Sequence, residues 1–369
     1  MHWVCRGVIM KKICCLFKTL DFGGAEKNIV FVANSLAESN YDVTLAYCQG
    51  EIRQKVDSRI KLVNLDVVFP QKINKFKLLS YSARVLLVFR KLVKKSSFDL
   101  VISFNGTYAR ITNYALIGCN AKHIASERGN PFIHAHKYLK PYKKADKVIF
   151  QTQRARQAYK EINSNKVEII PNPIFNTKRT IAFDVNSKTI VSYGRLHSQK
   201  RFDLLIKAFQ IVSFNHPDYT LEIYGEGFEY NNLVHLIRNH DLNKKVFLRG
   251  LSLDISESID HSYAFVMTSD YEGMPNALLE ALSLGLPCIS TNCESGGPKE
   301  LLKNGERGIL VDVGNVEGIA KAISCFIEKP EVAQYYSGKA LEVNEEYAAS
   351  KIKDAWSIII TETINSMTA

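Results

Sequence analysis

The chain has 369 residues, of which 46% are hydrophobic and 23% charged; that is too long for one ordinary core and suits two domains of roughly 150–200 residues each. The composition excludes a disordered, collagen-like or coiled-coil protein, and no run approaches the ~18 apolar residues that a membrane-spanning helix needs. The net charge of +11 hides an asymmetry: residues 1–180 carry 31 Lys and Arg against 12 Asp and Glu, and the remainder 17 against 25, so the two halves are expected to meet different partners.

Short β-branched runs alternate with longer amphipathic ones along the whole chain. In the first half, strands are predicted at 12–17, 43–47, 61–65, 100–104, 123–126 and 148–151, with helices at 25–38, 76–95, 109–117 and 152–161. In the second half, strands are predicted at 190–193, 221–224, 246–248, 264–267, 288–290 and 308–311, with helices at 202–212, 230–239, 276–284 and 316–326. Strands alternating with helices of this length imply parallel βαβ construction. Two such series imply an α/β protein of two doubly wound domains, 1–174 and 175–349. The seam follows Ile170-Pro171-Asn172-Pro173-Ile174, where two prolines bracketing Asn make a stiff, non-helical connector. A last helix at 350–369, with Trp356 and Ile358 to Ile360, is expected to pack back on the first domain.

Eight cysteines show no CxxC pair and several sit in apolar runs, which suits a reducing, cytosolic location. No signal peptide is evident, and Met10 makes a cleaner start than Met1.

In open α/β sheets, ligands bind beyond the carboxyl ends of the strands, and the chemistry-bearing motifs fall there. After the predicted strand at 264–267 comes Ser269-Asp270-Tyr271-Glu272-Gly273-Met274-Pro275-Asn276, then a helix reaching Glu280. Pro275 is a favoured first-turn residue. The amides of Gly273, Met274, Asn276 and Ala277 would make an anion site at the helix start. Glu280, one and a half turns in, suits a hydroxyl acceptor such as ribose. A solvated face is the bland reading of this carboxylate, but its neighbours Ala281, Leu282 and Leu284 are apolar. After the strand at 190–193, Gly194-Arg195-Leu196-His197-Ser198-Gln199-Lys200 places Arg195 and Lys200 where a guanidinium and an ammonium suit a diphosphate leaving group. Gly23-Gly24 opens the first long helix, permitting close approach of a ligand or a plain turn. Gly225-Glu226-Gly227 follows the strand at 221–224 and is either a loop under a base or a structural turn.

The Glu-x7-Glu spacing of Glu272 and Glu280, the Arg195/Lys200 turn and the N-terminal Gly-Gly resemble family 4 glycosyltransferases over nearly the whole chain. Ser126-Glu127-Arg128-Gly129-Asn130-Pro131 and Ser295-Gly296-Gly297-Pro298-Lys299-Glu300 are similar to bacterial polysaccharide-assembly members, including N-acetylgalactosaminyltransferases that extend undecaprenyl-diphosphate-linked oligosaccharides. The resemblance implies a GT-B fold, two Rossmann-like domains facing across a cleft, a nucleotide-sugar donor and retention of configuration. Carried over by position, it gives Arg195 and Lys200 the donor diphosphate and Glu280 the ribose hydroxyls. Glu272 with Gly273, Met274, Pro275 and Asn276 takes the transferred sugar, and Gly23 and Gly24 the approach to the diphosphate; Glu226 belongs to the same donor set. Some relatives have His where this chain has Arg128; His134 and His136 lie nearby.

No Asp-x-Asp occurs and the nine histidines lack metal-ligand spacing, so no metal or other cofactor is expected; Arg195 and Lys200 would supply the charge stabilisation. Between Asp66 and Asp99 there is no acidic residue, while Lys75, Lys77, Arg84, Arg90, Lys91, Lys94 and Lys95 interleave with apolar ones. Such a helix suits an anionic membrane surface, and with Glu127 and Arg128 it forms the expected side for a lipid-linked glycan acceptor. The location expected is cytoplasmic, peripheral on the inner face of the cytoplasmic membrane. The basic half has no zinc motif, RNP aromatics or helix-turn-helix signature, so nucleic acid is not an expected partner. A sugar-nucleotide epimerase of the same architecture remains the alternative.

Overall fold

The computed structural model describes residues 10–21, 23–70, 74–175, 183–252 and 254–366, with the side chains of Ile133 and His134 outside the description. The first nine residues, over which the choice between Met1 and Met10 turns, lie outside it too.

The chain divides into two compact units. One runs to Ile170 and resumes at Ile352; the other is Pro171–Lys351. The seam thus falls at the first proline of the connector.

Among the described residues, the first unit is built on seven strands: β1 (Lys12–Phe17), β2 (Asp42–Tyr47), β3 (Lys61–Asn64), β4 (Leu100–Phe104), β5 (Lys122–Ser126), β6 (Lys147–Phe150) and β7 (Val167–Ile169). All pair in parallel, in the order β3-β2-β1-β4-β5-β6-β7. All five residues of β4 are buried, because helices cover both faces of a parallel sheet. The helix Ala349–Asn365 begins in the second unit and ends in the first. Trp356, Ile359 and Ile360 are buried in the first unit's core, while Ile358 faces outward.

Two elements of this unit are not foreshadowed by local pattern. Strand β7 is three residues long and ends against the connector. The helix Pro131–Lys144 contains Pro141, which argues against a helix. Its start is nevertheless well specified: Asn130 caps it by accepting Phe132 N–H at 3.0 Å, and Pro occupies the first turn. Pro141 cannot donate to the carbonyl of Lys137 four residues back, and Arg110 Nη2 donates to that carbonyl instead at 3.0 Å.

The second unit holds β8 (Thr189–Tyr193), β9 (Thr220–Tyr224), β10 (Val246–Gly250), β11 (Ala264–Met267), β12 (Cys288–Thr291) and β13 (Ile309–Val311). Again all are parallel, in the order β10-β9-β8-β11-β12-β13. Counted within the unit this is 3-2-1-4-5-6, the doubly wound order of dinucleotide-binding sheets. Phe202, Leu205, Ile206 and Phe209 press the helix Phe202–Asn215 onto one face, and Leu278, Leu279 and Leu282 press the helix Asn276–Leu284 onto the other.

Candidate active site

In a sheet of this order the crossovers leave in opposite directions from the two central strands, and the loops beyond them part to admit a ligand. In the second unit those strands are β8 and β11. The turn at 194–201 follows β8 and the loop at 268–275 follows β11, so the two motifs singled out in the sequence arrive at one place.

They are tied together there. Lys200 Nζ lies 2.6 Å from Glu272 Oε1, both side chains being mostly buried, and the same oxygen accepts Ser269 Oγ at 2.7 Å. The Gln199 carbonyl accepts Asp270 N–H at 2.9 Å, and its carboxamide donates to Tyr271 O at 2.6 Å. Thr268 Oγ1 is 3.0 Å from the carbonyls of both Lys200 and Arg201. Arg201 adopts the left-handed conformation at φ 50°, which costs a non-glycine residue about 1 kcal/mol. Its guanidinium offsets this by holding Asp203 and Asp270, each at 3.0 Å. Those partners, Asp203 foremost, push its pKa up.

Arg195 leaves the same turn but is exposed, and among the described residues its guanidinium takes no ion-pair partner. Glu280 is half-buried, 3.4 Å from the Tyr193 hydroxyl, which donates to the Ala277 carbonyl at 2.8 Å. Burial first, and then the Glu280 charge, push the Tyr193 pKa well up, so this tyrosine stays a neutral donor. The helix Asn276–Leu284 starts after Pro275 with no side-chain cap. Its N-terminal end, where amides and dipole favour an anion, therefore stands beside the Lys200–Glu272 pair. Residue by residue, Lys200, Glu272, Gly273, Met274, Pro275, Asn276 and Glu280 belong to one contiguous structure, and Arg195 is exposed on the turn that carries Lys200.

Both glycine motifs serve close backbone and side-chain packing. Gly225 has φ 144°, and a Cβ there would lie 1.9 Å from the Gly194 carbonyl; Glu226 is exposed, and its carbonyl accepts Leu196 N–H at 2.8 Å. The Gly225-Glu226-Gly227 loop thus packs under the 194–196 turn, and its glycines are required by backbone contact. In the first unit a Cβ on Gly23 would meet the Glu26 carboxylate of its own helix at 2.2 Å, and Gly24 starts that helix with its carbonyl accepting Asn28 Nδ2 at 2.7 Å.

Glu127, expected on the acceptor side, is an internal residue. Its side chain is buried: Oε1 accepts the N–H groups of Arg128 and Gly129 at 2.9 and 2.8 Å, and Oε2 accepts the hydroxyls of Tyr142 and Tyr159 at 2.6 and 3.4 Å. The carboxylate holds the 127–129 turn from within; burial, and then its charge, push the Tyr142 pKa well up. Arg128 donates Nε–H to Ser126 Oγ at 2.9 Å and lies over the rings of Phe104 and Trp356. Burial presses its pKa down and Glu127 opposes the shift. His136 is exposed, and the side chain of His134 lies outside the described residues.

The basic helix forms as Lys75–Ser96, with Tyr81, Val85, Phe89 and Val93 inward. Opposite them Phe76, Leu79, Ala83 and Leu87 make a solvent-facing ridge. Lys75, Lys77, Arg84, Lys91, Lys94 and Lys95 are exposed and have no carboxylate partner among the described residues. Arg90 is the exception: half-buried, it donates to the carbonyls of Tyr114 and Ala115 at 3.0 and 2.9 Å, closing the end of the neighbouring helix. Among the described residues no helix is long and apolar enough to cross a membrane, and no group of three or more His, Cys, Asp or Glu could hold a metal ion.

Asn172 joins this site without any motif to announce it. In the sequence it is legible only as part of a stiff connector, yet its carboxamide reaches Met274 and Asn276. Ser269, Gln199 and Tyr193 are likewise silent in the sequence, since a lone Ser, Gln or Tyr carries no pattern.

Residues 22–175 match the family model Glycosyltransferase Family 4, and residues 174–343 match Glycosyl transferases group 1. The chain is 30% identical over 361 residues to an uncharacterized glycosyltransferase of Haemophilus influenzae, covering 95% of this chain and 100% of that one. It is 25% identical over 376 residues to a Campylobacter jejuni α-1,4-N-acetyl-D-galactosaminyltransferase named for a GalNAc-containing diphospho-undecaprenol substrate, covering 97% and 100%. Among solved structures, sucrose-phosphate synthase of Thermosynechococcus elongatus superposes with a TM-score of 0.84 at 17% identity, covering 96% and 100%. Anabaena Alr3699/HepE in complex with UDP and glucose does so with a TM-score of 0.78 at 17% identity, covering 95% and 99%. Fold and relatives together define a two-domain GT-B glycosyltransferase. The chain belongs to family 4 of these enzymes, which answers the alternative of an epimerase in favour of the transferase.

Proposed function

We propose that the protein moves a hexose or N-acetylhexosamine from a UDP-linked donor to a growing, lipid-diphosphate-linked oligosaccharide, with retention of configuration, in the assembly of a surface polysaccharide or glycan. The observation that carries the proposal is the Lys200–Glu272 contact at 2.6 Å, which joins the loops after both central strands beside an uncapped helix start. In this reading Arg195 and Lys200 hold the donor diphosphate and neutralise the charge that grows on it as it departs. Glu280 accepts the ribose hydroxyls. Glu272 and the 273–276 backbone hold the sugar.

No general base is assigned. The acceptor hydroxyl attacks the face that the diphosphate leaves: the C1–O bond to phosphate breaks, the C1–O bond to the acceptor forms, and the acceptor proton passes to the departing phosphate oxygen. UDP is favoured by the Anabaena protein of the same fold, which holds it. The lipid-linked acceptor is favoured by the name of the Campylobacter relative. The Phe76, Leu79 and Leu87 ridge, flanked by exposed lysines, supports docking on the anionic inner face of the cytoplasmic membrane.

A screen of UDP-sugars against an undecaprenyl-diphosphate-linked acceptor, with NMR of the new linkage, tests this. An α-linked product from an α-linked donor is expected. An inverted linkage contradicts the mechanism, and transfer only from GDP-sugars contradicts the donor.

A further inference from the structure

The connector between the two units is fastened to the loop assigned to the transferred sugar. Asn172 is 2% exposed. Its Nδ2 donates to the Met274 carbonyl at 3.0 Å and to Asn276 Oδ1 at 2.6 Å, and its backbone N–H points at Met274 Sδ, 3.2 Å away. Two residues on, Ile174 N–H donates to the Tyr347 carbonyl at 3.0 Å, and its side chain is buried in the core that also holds Met274 and Leu278. Pro171 and Pro173 fix their own φ angles and offer no N–H to compete.

The chemistry of this contact sets its polarity. A backbone carbonyl only accepts, so the Asn172 carboxamide must turn its NH2 toward Met274. The second hydrogen of that NH2 then requires an acceptor from Asn276, whose carboxamide must present Oδ1 inward. One main-chain carbonyl thus orients both side chains, and it belongs to the peptide between Met274 and Pro275, at the entry to the helix.

We propose that Asn172 is a positioning residue for sugar recognition: by gripping Met274 O and Asn276 Oδ1 it sets the aim of the 272–276 loop and couples that loop to the connector between the units. The proposal rests on the reading of 272–276 as the sugar-holding segment. It predicts that Asn172 matters to the sugar part of the donor and little to the nucleotide part, which Arg195, Lys200 and Glu280 hold.

Titration calorimetry of the full chain tests it, using UDP, UDP-N-acetylgalactosamine, UDP-N-acetylglucosamine and UDP-glucose on wild type, Asn172→Ala and Asn172→Asp. UDP affinity is expected to stay within about 2-fold in all three proteins, while the sugar nucleotide that wild type binds best weakens about 10-fold in Asn172→Ala. Asn172→Asp keeps the shape but has no donor and sets a carboxylate against a carbonyl, so it is expected to weaken by at least as much. If Asn172→Asp binds like wild type, the side chain only fills space and the proposal is overturned. Equal weakening of UDP and sugar nucleotide also overturns it, because the role is then general folding. If wild type binds neither UDP nor any of the three sugar nucleotides, the donor reading itself fails and takes this one with it.

Discussion

Arg195 and Lys200 leave the same turn into different surroundings, and their substitutions are expected to part accordingly. Arg195 is exposed and its guanidinium takes no ion-pair partner among the described residues, so Arg195→Ala should lower the rate of UDP release by ~10²–10³ with an unchanged melting temperature. Lys200→Ala should cost a similar factor in rate and also about 1–3 kcal/mol of stability in urea, because Glu272 is left mostly buried with only the Ser269 hydroxyl described beside it. Glu127→Ala should act on stability first. It leaves the buried Tyr142 hydroxyl without the Glu127 acceptor and releases two backbone N–H groups at the partly exposed 127–129 turn, a loss of about 1–3 kcal/mol, with Glu127→Gln intermediate; urea unfolding measures both. What is legible in the sequence at this scale follows from locality. Glu272 and Glu280 stand eight positions apart on one loop and helix, so their spacing is readable. Asn172 finds its partners 102 and 104 positions away, and no local pattern points to them. The buried surroundings of Glu127 are hidden for the same reason, since Tyr142 and Tyr159 reach it from 15 and 32 positions further on.

The basic helix shows how far an element can be read from periodicity. Its core stripe and the absence of acids disclose its existence and its charge; the structure adds that Phe76, Leu79 and Leu87 are outward while Arg90 is held against the neighbouring helix end. A membrane-docking role makes a definite demand on this face. Wild type should float with vesicles containing phosphatidylglycerol at low salt and be released by high salt, each surface lysine contributing ~1 kcal/mol. The pair Phe76→Ser and Leu87→Ser should reduce flotation without altering the fold, since both side chains are exposed. No binding at low salt would remove the membrane from the account. The helix Pro131–Lys144, by contrast, is hidden by Pro141, whose damage is repaired by the guanidinium of Arg110, 27 positions before the carbonyl it serves.

At the scale of the whole molecule, the alternation of strands and helices exposes two doubly wound sheets, but not their strand order, which depends on crossovers that leave no local mark. The first unit also carries a pH dependence. His123 is buried, with Nε2 at 2.8 Å from Ser103 Oγ and Nδ1 at 2.9 Å from Asn113 Oδ1; burial lowers its pKa to about 3, with Asp146 opposing. The unfolded chain takes up this proton near pH 6.5 and the folded chain does not, so stability is full above that pH and falls as pH drops toward 3. The loss is about 2 kcal/mol between pH 6.5 and 5. Urea unfolding across that range should show this slope reduced in His123→Gln; an unchanged slope contradicts the assignment.

The most direct measurement is UDP release from a UDP-sugar with and without an undecaprenyl-diphosphate-linked oligosaccharide, on wild type and on Arg195→Ala. Expected is acceptor-dependent release by wild type that falls at least ~100-fold in a variant as stable as wild type. Release or donor conversion that needs no acceptor, or a rate that survives the loss of Arg195, contradicts a transferase working at the ends of β8 and β11.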